Sequence, residues 1–140
     1  MASNYIPKAE AKLLEEQYKG YCEYCRYLQD YTSIRFHNEH IIPLVLKGKS
    51  EFMNLAKACS NCNMNKSAHI SWEDPITKKS VPLFHPRKQN WTDHFEWSAD
   101  KLYIIGKTPT GRATVELLDM NSPGIVNLRS ILPVSEHPPK

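Results

Sequence analysis

Two Cys-x-x-Cys pairs, Cys22 with Cys25 and Cys59 with Cys62, constrain this chain more than any other feature. Thiolates are soft ligands, and a pair two residues apart can wrap one tetrahedral Zn²⁺ without straining the backbone. Two such pairs complete a closed four-sulfur site. The alternatives are two disulfides or four free thiols. The N-terminal segment has no apolar signal core and all four cysteines fall within the pairs, so a metal is favoured over secretory disulfides. A zinc with four protein ligands has no open position, and its role is structural. In 140 residues the expectation is one domain, or one small domain with an extension, whose modest core benefits from a metal staple.

The spacing between the pairs is 33 residues, longer than a simple zinc ribbon, and the inserted stretch contains His37-Asn38-Glu39-His40-Ile41-Ile42-Pro43. Glu39 and His40 are adjacent, so on an extended segment their side chains diverge and can do two different jobs. A carboxylate oxygen suits a hard cation such as Mg²⁺, and a neutral imidazole is a base that titrates near neutrality. Asn54 lies beyond a Gly-containing turn, and Asn63 follows Cys62 at the start of an expected helix. Phosphodiester hydrolysis needs a base for water and a cation for the leaving oxygen. Glu39, His40 and Asn63 can supply both if the hairpin folds back on the helix.

The full order of residues over 22–66, C-x-x-C, E-H-I-I-P, G, N-L, A-C-x-x-C-N-x-x-K, resembles the HNH endonucleases of the ββα-metal type. That resemblance implies an α+β fold with a ββα-metal core stapled by a four-cysteine zinc. It implies His40 as general base and Glu39 with Asn63 as ligands of one Mg²⁺ or Mn²⁺. Asn65 is the alternative ligand if the helix register differs. Asn54 is implied to hold the turn that orients the base. The implied reaction is metal-dependent hydrolysis of DNA to 5′-phosphate and 3′-hydroxyl ends. The later segments L-F-x-P-R, H-F-x-W and G-R-A-T-V are similar to a prokaryotic and phage subgroup of the family, in which Asn is more usual at the place of His85.

Around this core, Pro7, Leu13, Leu14, Tyr18 and Gly20 predict an amphipathic helix over 7–19. A strand is expected at 33–37 with 41–44 returning beside it, a turn at 46–50, and a helix at 60–69 capped by Ser60. Residues 71–90 contain three prolines and read as mostly irregular. A hairpin at 94–106 and helices at 110–119 and 124–132 complete an extension over 71–132 beyond the core at 1–70. The tail at 133–140 is expected to fray.

A net charge of +3 favours an anionic partner only weakly. Six Lys or Arg between 57 and 88 stand against Glu73 and Asp74. His37, Lys66, His85, Arg87 and Arg112 are therefore candidates for phosphate contact or for support of the site, while Phe84, Phe95 and Trp97 are assigned to core. The partner expected is double-stranded DNA. Oligomeric state stays open, with a homodimer one option. No apolar run is long enough to span a membrane, and the expected location is cytoplasmic. Two rival readings are a zinc-stapled nucleic-acid-binding module without catalysis and a purely structural zinc domain.

Overall fold

The computed structural model describes residues 5–139. Helix α1 (Lys8–Gln17) starts after Pro7 and ends at Tyr18, which is extended. Its stripe is narrower than the apolar pattern implies: Leu14 is buried, whereas Leu13 is 37 % exposed.

The centre of the fold is a ββα unit. Strand β1 (His37–His40) runs antiparallel to β2 (Leu55–Ala58), pairing His37 with Ala58, Glu39 with Ala56 and His40 with Leu55. Helix α2 (Ser60–Lys66) follows two residues after β2. The strand expected at 33–37 is thus displaced towards the histidines, and 41–44 does not return beside it. Pro43 cannot donate to a ladder. The chain instead turns through a short 3-10 segment, Leu44–Leu46, and comes back only at Leu55. Ser60 does not cap α2. Cys59 occupies that position, and its sulfur accepts from the Cys62 backbone N–H at 3.5 Å.

Residues 71–90 are less irregular than their prolines suggest. Strands β3 (Ser71–Glu73) and β4 (Ser80–Pro82) form a hairpin, with Pro82 at its end where a missing N–H costs little. A short helix α3 (Trp91–His94) leads into the hairpin of β5 (Phe95–Trp97) and β6 (Ile104–Gly106). Helices α4 (Pro109–Leu118) and α5 (Pro123–Ile131) lie where they were expected. Residues 133–139 turn back onto the fold at His137, while Val134 stays exposed. His137 is buried, lies edge-on to Trp97 at 4.7 Å and bonds the Lys101 carbonyl at 2.6 Å, and Glu136 accepts from the Tyr31 hydroxyl. Lys140 lies outside the described residues.

One apolar cluster holds both halves together. It includes all four cysteines, Tyr24, Phe36 and Ile41 from the first half, and Phe84, Trp91, Phe95, Leu118 and Met120 from the second. Polar ties cross the same boundary. The Trp91 indole N–H donates to the Tyr24 carbonyl at 2.8 Å, and Asn61 donates to the Leu118 carbonyl at 3.0 Å. Phe84 and Phe95 are core as expected, at 2 % and 1 % exposure, and Trp97 packs against that core.

Candidate active site and metal centre

The four sulfurs converge. Cys22, Cys25, Cys59 and Cys62 are buried, unpaired as disulfides, and their Sγ atoms all lie within 4.8 Å of one another. Cys25 and Cys59 are 3.6 Å apart. Zn–S bonds of about 2.3 Å in a tetrahedron place sulfurs roughly 3.8 Å apart, so the cluster has the size for one zinc ion. Local backbone explains the fit. Arg26 adopts φ +66° and donates its N–H to the Cys22 carbonyl at 3.0 Å, closing the first knuckle, while the second is the first turn of α2. The first knuckle is also bolted to β2. Glu23 accepts from the Lys57 N–H at 2.7 Å and from the Arg87 guanidinium at 2.6 Å.

The two knuckles hold the ends of the segment that carries His40. A pocket of about 540 Å³ is lined by His37, Asn38, Glu39, His40, Pro43, Leu44, Val45, Asn63, Ser67 and Ala68. His40 is half-buried, and its Nε2 lies 2.8 Å from the Ser50 Oγ. Burial lowers its pKa from the ordinary imidazole value, so the ring is neutral at pH 7 and available as a base. Asn63 reaches the same pocket from α2. Asn65 does not: its amide donates to the Leu118 carbonyl at 3.0 Å and to Asn61, on the side facing α4.

Asn54 is buried and its amide is fully used. It accepts from the Ile42 N–H at 2.8 Å and donates to the carbonyls of Ile42 and Lys49, each at 2.9 Å. These three bonds cinch the loop between the strands at the point where it leaves His40. Gly48 completes the closure, because a Cβ there would lie 1.7 Å from the Ile42 carbonyl oxygen.

Glu39 lies deeper than a simple cation ligand would. It is 7 % exposed, and its Oε1 is 2.7 Å from the Lys66 ammonium, which also donates to the Ile41 carbonyl at 2.7 Å. Burial pushes the Glu39 carboxyl up, and Lys66 acts against that rise. The Tyr24 hydroxyl is close enough to interact with the carboxylate, yet neither it nor Glu39 Oε2 has a well-aligned hydrogen bond among the described residues. A buried carboxylate oxygen without an aligned donor, at the wall of a pocket shared with the Asn63 amide, fits a hard cation that keeps several waters. Among the described residues the cysteines are the one cluster of three or more His, Cys, Asp or Glu side chains spaced for a metal.

The remaining candidates divide sharply. Lys66 is 1 % exposed and committed to Glu39, so it is neither a solvated helix lysine nor a ready phosphate contact. Arg87 is spent on Glu23 and the Leu55 carbonyl, and it stacks over Phe52. Arg112 forks onto Asp74 at 2.9 and 2.8 Å. Both arginines therefore brace the extension instead of facing phosphate. His37 is exposed at the pocket rim, with its Nε2 3.5 Å from Ser60 Oγ. His85 lies off the pocket, and its Nδ1 accepts from the Arg87 N–H at 3.3 Å. Sequence reasoning missed Ser50 as the partner of His40 and Lys66 as the partner of Glu39. Ser50 carries no motif signal at all.

Residues 22–69 match the family model described as HNH endonuclease, and this segment of the chain is an HNH domain. The match runs from the first zinc-type cysteine to just beyond α2, which is the ββα unit with its staple. An HNH endonuclease domain implies metal-dependent nuclease activity on DNA, and hence a hydrolase. No curated protein and no solved structure matches the chain. No helix of the described residues is long and apolar enough to cross a membrane.

Proposed function

We propose that this chain is a DNA endonuclease in which His40 removes a proton from the attacking water. Glu39 and Asn63 would hold one Mg²⁺ or Mn²⁺ from adjacent walls of the pocket. Such a cation supplies charge to the scissile phosphate and to the departing 3′ oxygen. The residues do the rest. Neutral His40 accepts the water proton on Nδ1, with Ser50 fixing the ring through Nε2. Asn54 and Gly48 fix the loop, which keeps the imidazole aimed into the pocket. As the water oxygen bonds to phosphorus the P–O3′ bond breaks, and the departing 3′ oxygen takes a proton from solvent, which leaves a 5′-phosphate and a 3′-hydroxyl. The observation that carries this reading is the convergence of His40, Glu39 and Asn63 on one pocket beside the sulfur cluster.

A second reading draws support from Lys66. A lysine already neutralising Glu39 suits a zinc-stapled module that binds DNA without cutting it. The two separate on supercoiled plasmid incubated with Mg²⁺, with Mn²⁺ or with no added divalent cation. The nuclease produces nicked or linear DNA that requires the cation and falls about 10²–10⁴-fold in His40→Ala. Salt-sensitive binding without any product establishes the module instead.

A further inference from the structure

The loop between His40 and Asn54 ends in an apolar tip that the fold leaves in solvent. Val45 is 73 % exposed and Leu46 is 47 % exposed. A flexible loop could fold such side chains back onto the protein, but this one is fixed at several points. Asn54 bonds both ends of it, Gly48 is packed against the Ile42 carbonyl, and Ser50 touches the His40 ring. The Leu46 and Lys47 N–H groups are bonded to the Pro43 and Leu44 carbonyls at 2.9 Å. Lys47 takes φ +67° at the crest and is exposed, as is Lys49. Two branched apolar side chains are thus held outward, followed by two cationic ones on either side of Gly48, on the rim of the pocket that Val45 shares with His40.

Charge complementarity decides what covers such a tip. Lysines beside exposed apolar groups suit a polyanion with an apolar interior, and duplex DNA is the substrate of this pocket under the reading above. Apolar side chains pressed between base steps unstack them and kink the duplex. We infer that the loop over residues 43–50 is a wedge: Val45 and Leu46 enter a base step from the minor groove beside the scissile phosphate, while Lys47 and Lys49 hold the flanking phosphates. This inference rests on the nuclease reading, and it adds a substrate preference. Unstacking costs a few kcal/mol at a matched step and least at a mismatch or bulge, so the wedge should be dispensable where the duplex is already weakened.

The test compares the full-length protein with Val45→Ser/Leu46→Ser, whose two sites are exposed. The substrates are matched and bulge-containing duplexes carrying 2-aminopurine at several steps. With no Mg²⁺ or Mn²⁺ added, wild-type protein should raise 2-aminopurine fluorescence on the matched duplex, and the variant should bind without that rise. With Mg²⁺ or Mn²⁺, the variant should cut the matched duplex at least tenfold more slowly and the bulged duplex within about threefold of wild type, as expected when unstacking is prepaid. Equal losses on both duplexes, or wild-type cutting of the matched duplex by the variant, overturn the wedge. Cleavage by wild type with no fluorescence rise overturns the wedge and leaves the nuclease standing. A fluorescence rise without cleavage in any cation does the reverse. Sedimentation of both proteins without DNA covers the other occupant: a dimer abolished by the substitutions assigns the tip to a second copy of this chain and overturns the wedge.

Discussion

The Glu39 carboxylate and the Lys66 ammonium lie 2.7 Å apart in the interior, with side chains only 6 % and 1 % exposed. A carboxylate in that position is costly unless paired, and Lys66 is the pairing group. The residue proposed to hold the catalytic cation is therefore also part of a buried ion pair that spans β1 and α2.

Removing one member of that pair should cost far more than removing both. Lys66→Ala leaves Glu39 charged and uncompensated, and urea melts should show a loss of about 3–5 kcal/mol. Glu39→Gln/Lys66→Met removes both charges and should regain most of that stability. Cleavage should stay absent in the double variant. A stable, active double variant would remove Glu39 from the cation site.

Zinc content separates a metal centre from a reduced thiol cluster. Purified protein should contain one zinc per chain, and Co²⁺ substitution should give the absorption of tetrahedral sulfur ligation. Cys25→Ser or a strong chelator should unfold both halves in one transition, because the sulfurs belong to the same cluster as Phe84, Trp91 and Leu118. Separate melting of residues beyond 71 would contradict that coupling.

Asn54 touches the loop and not the reacting groups, so its loss should be read in rate. Asn54→Ala should lower cleavage about 100-fold, the scale of a misplaced catalytic group, with zinc retained. Gly48→Ala should behave alike, because its Cβ would collide with the Ile42 carbonyl. A normal rate in either variant would mean that the loop tolerates displacement.

Acid should expose the contribution of Asp74. The Arg112 fork, followed by bonds from Thr77, holds its carboxyl far below the usual range, and the side chain is buried. A depressed carboxyl contributes stability that is present above its unfolded value of about 3.9 and fades as pH falls through the folded value. Thermal melts should place Asp74→Asn well below wild type at pH 7, with the gap narrowing below about pH 4. A gap that is constant from pH 7 to pH 3 would refute the charge account.

Much of the site was legible because its chemistry is written in residue order. Cys22, Cys25, Cys59 and Cys62 follow ligand spacing, and Glu39, His40, Asn54 and Asn63 follow a family pattern. The partners of those residues follow no such pattern. Ser50 meets His40, and Lys66 meets Glu39, only because β1 and α2 pack in a particular register. Arg87 and Arg112 follow the same rule: a guanidinium suited to phosphate is equally well satisfied by Glu23 with the Leu55 carbonyl, or by a fork onto Asp74. Local elements fared by length and signal. Helices α4 and α5 carry Pro at their first turn and were readable, whereas β1 was displaced because Pro43 and the Asn54 bonds, not alternation, set where the strand ends.

The sulfur cluster joins residues 22–25 to residues 59–62, and everything proposed to touch DNA through β1 and its loop lies between them. With a zinc ion in place, that stretch is a coordination-closed macrocycle whose two ends are pinned a few ångströms apart. Changes of length inside the ring are absorbed there and are not passed to the rest of the chain. The tip over residues 44–47 can then be exchanged as a cassette while Gly48, Ser50 and the Asn54 bonds are kept, altering which DNA is cut while the ring's clasp and the helix carrying Asn63 stay where they are.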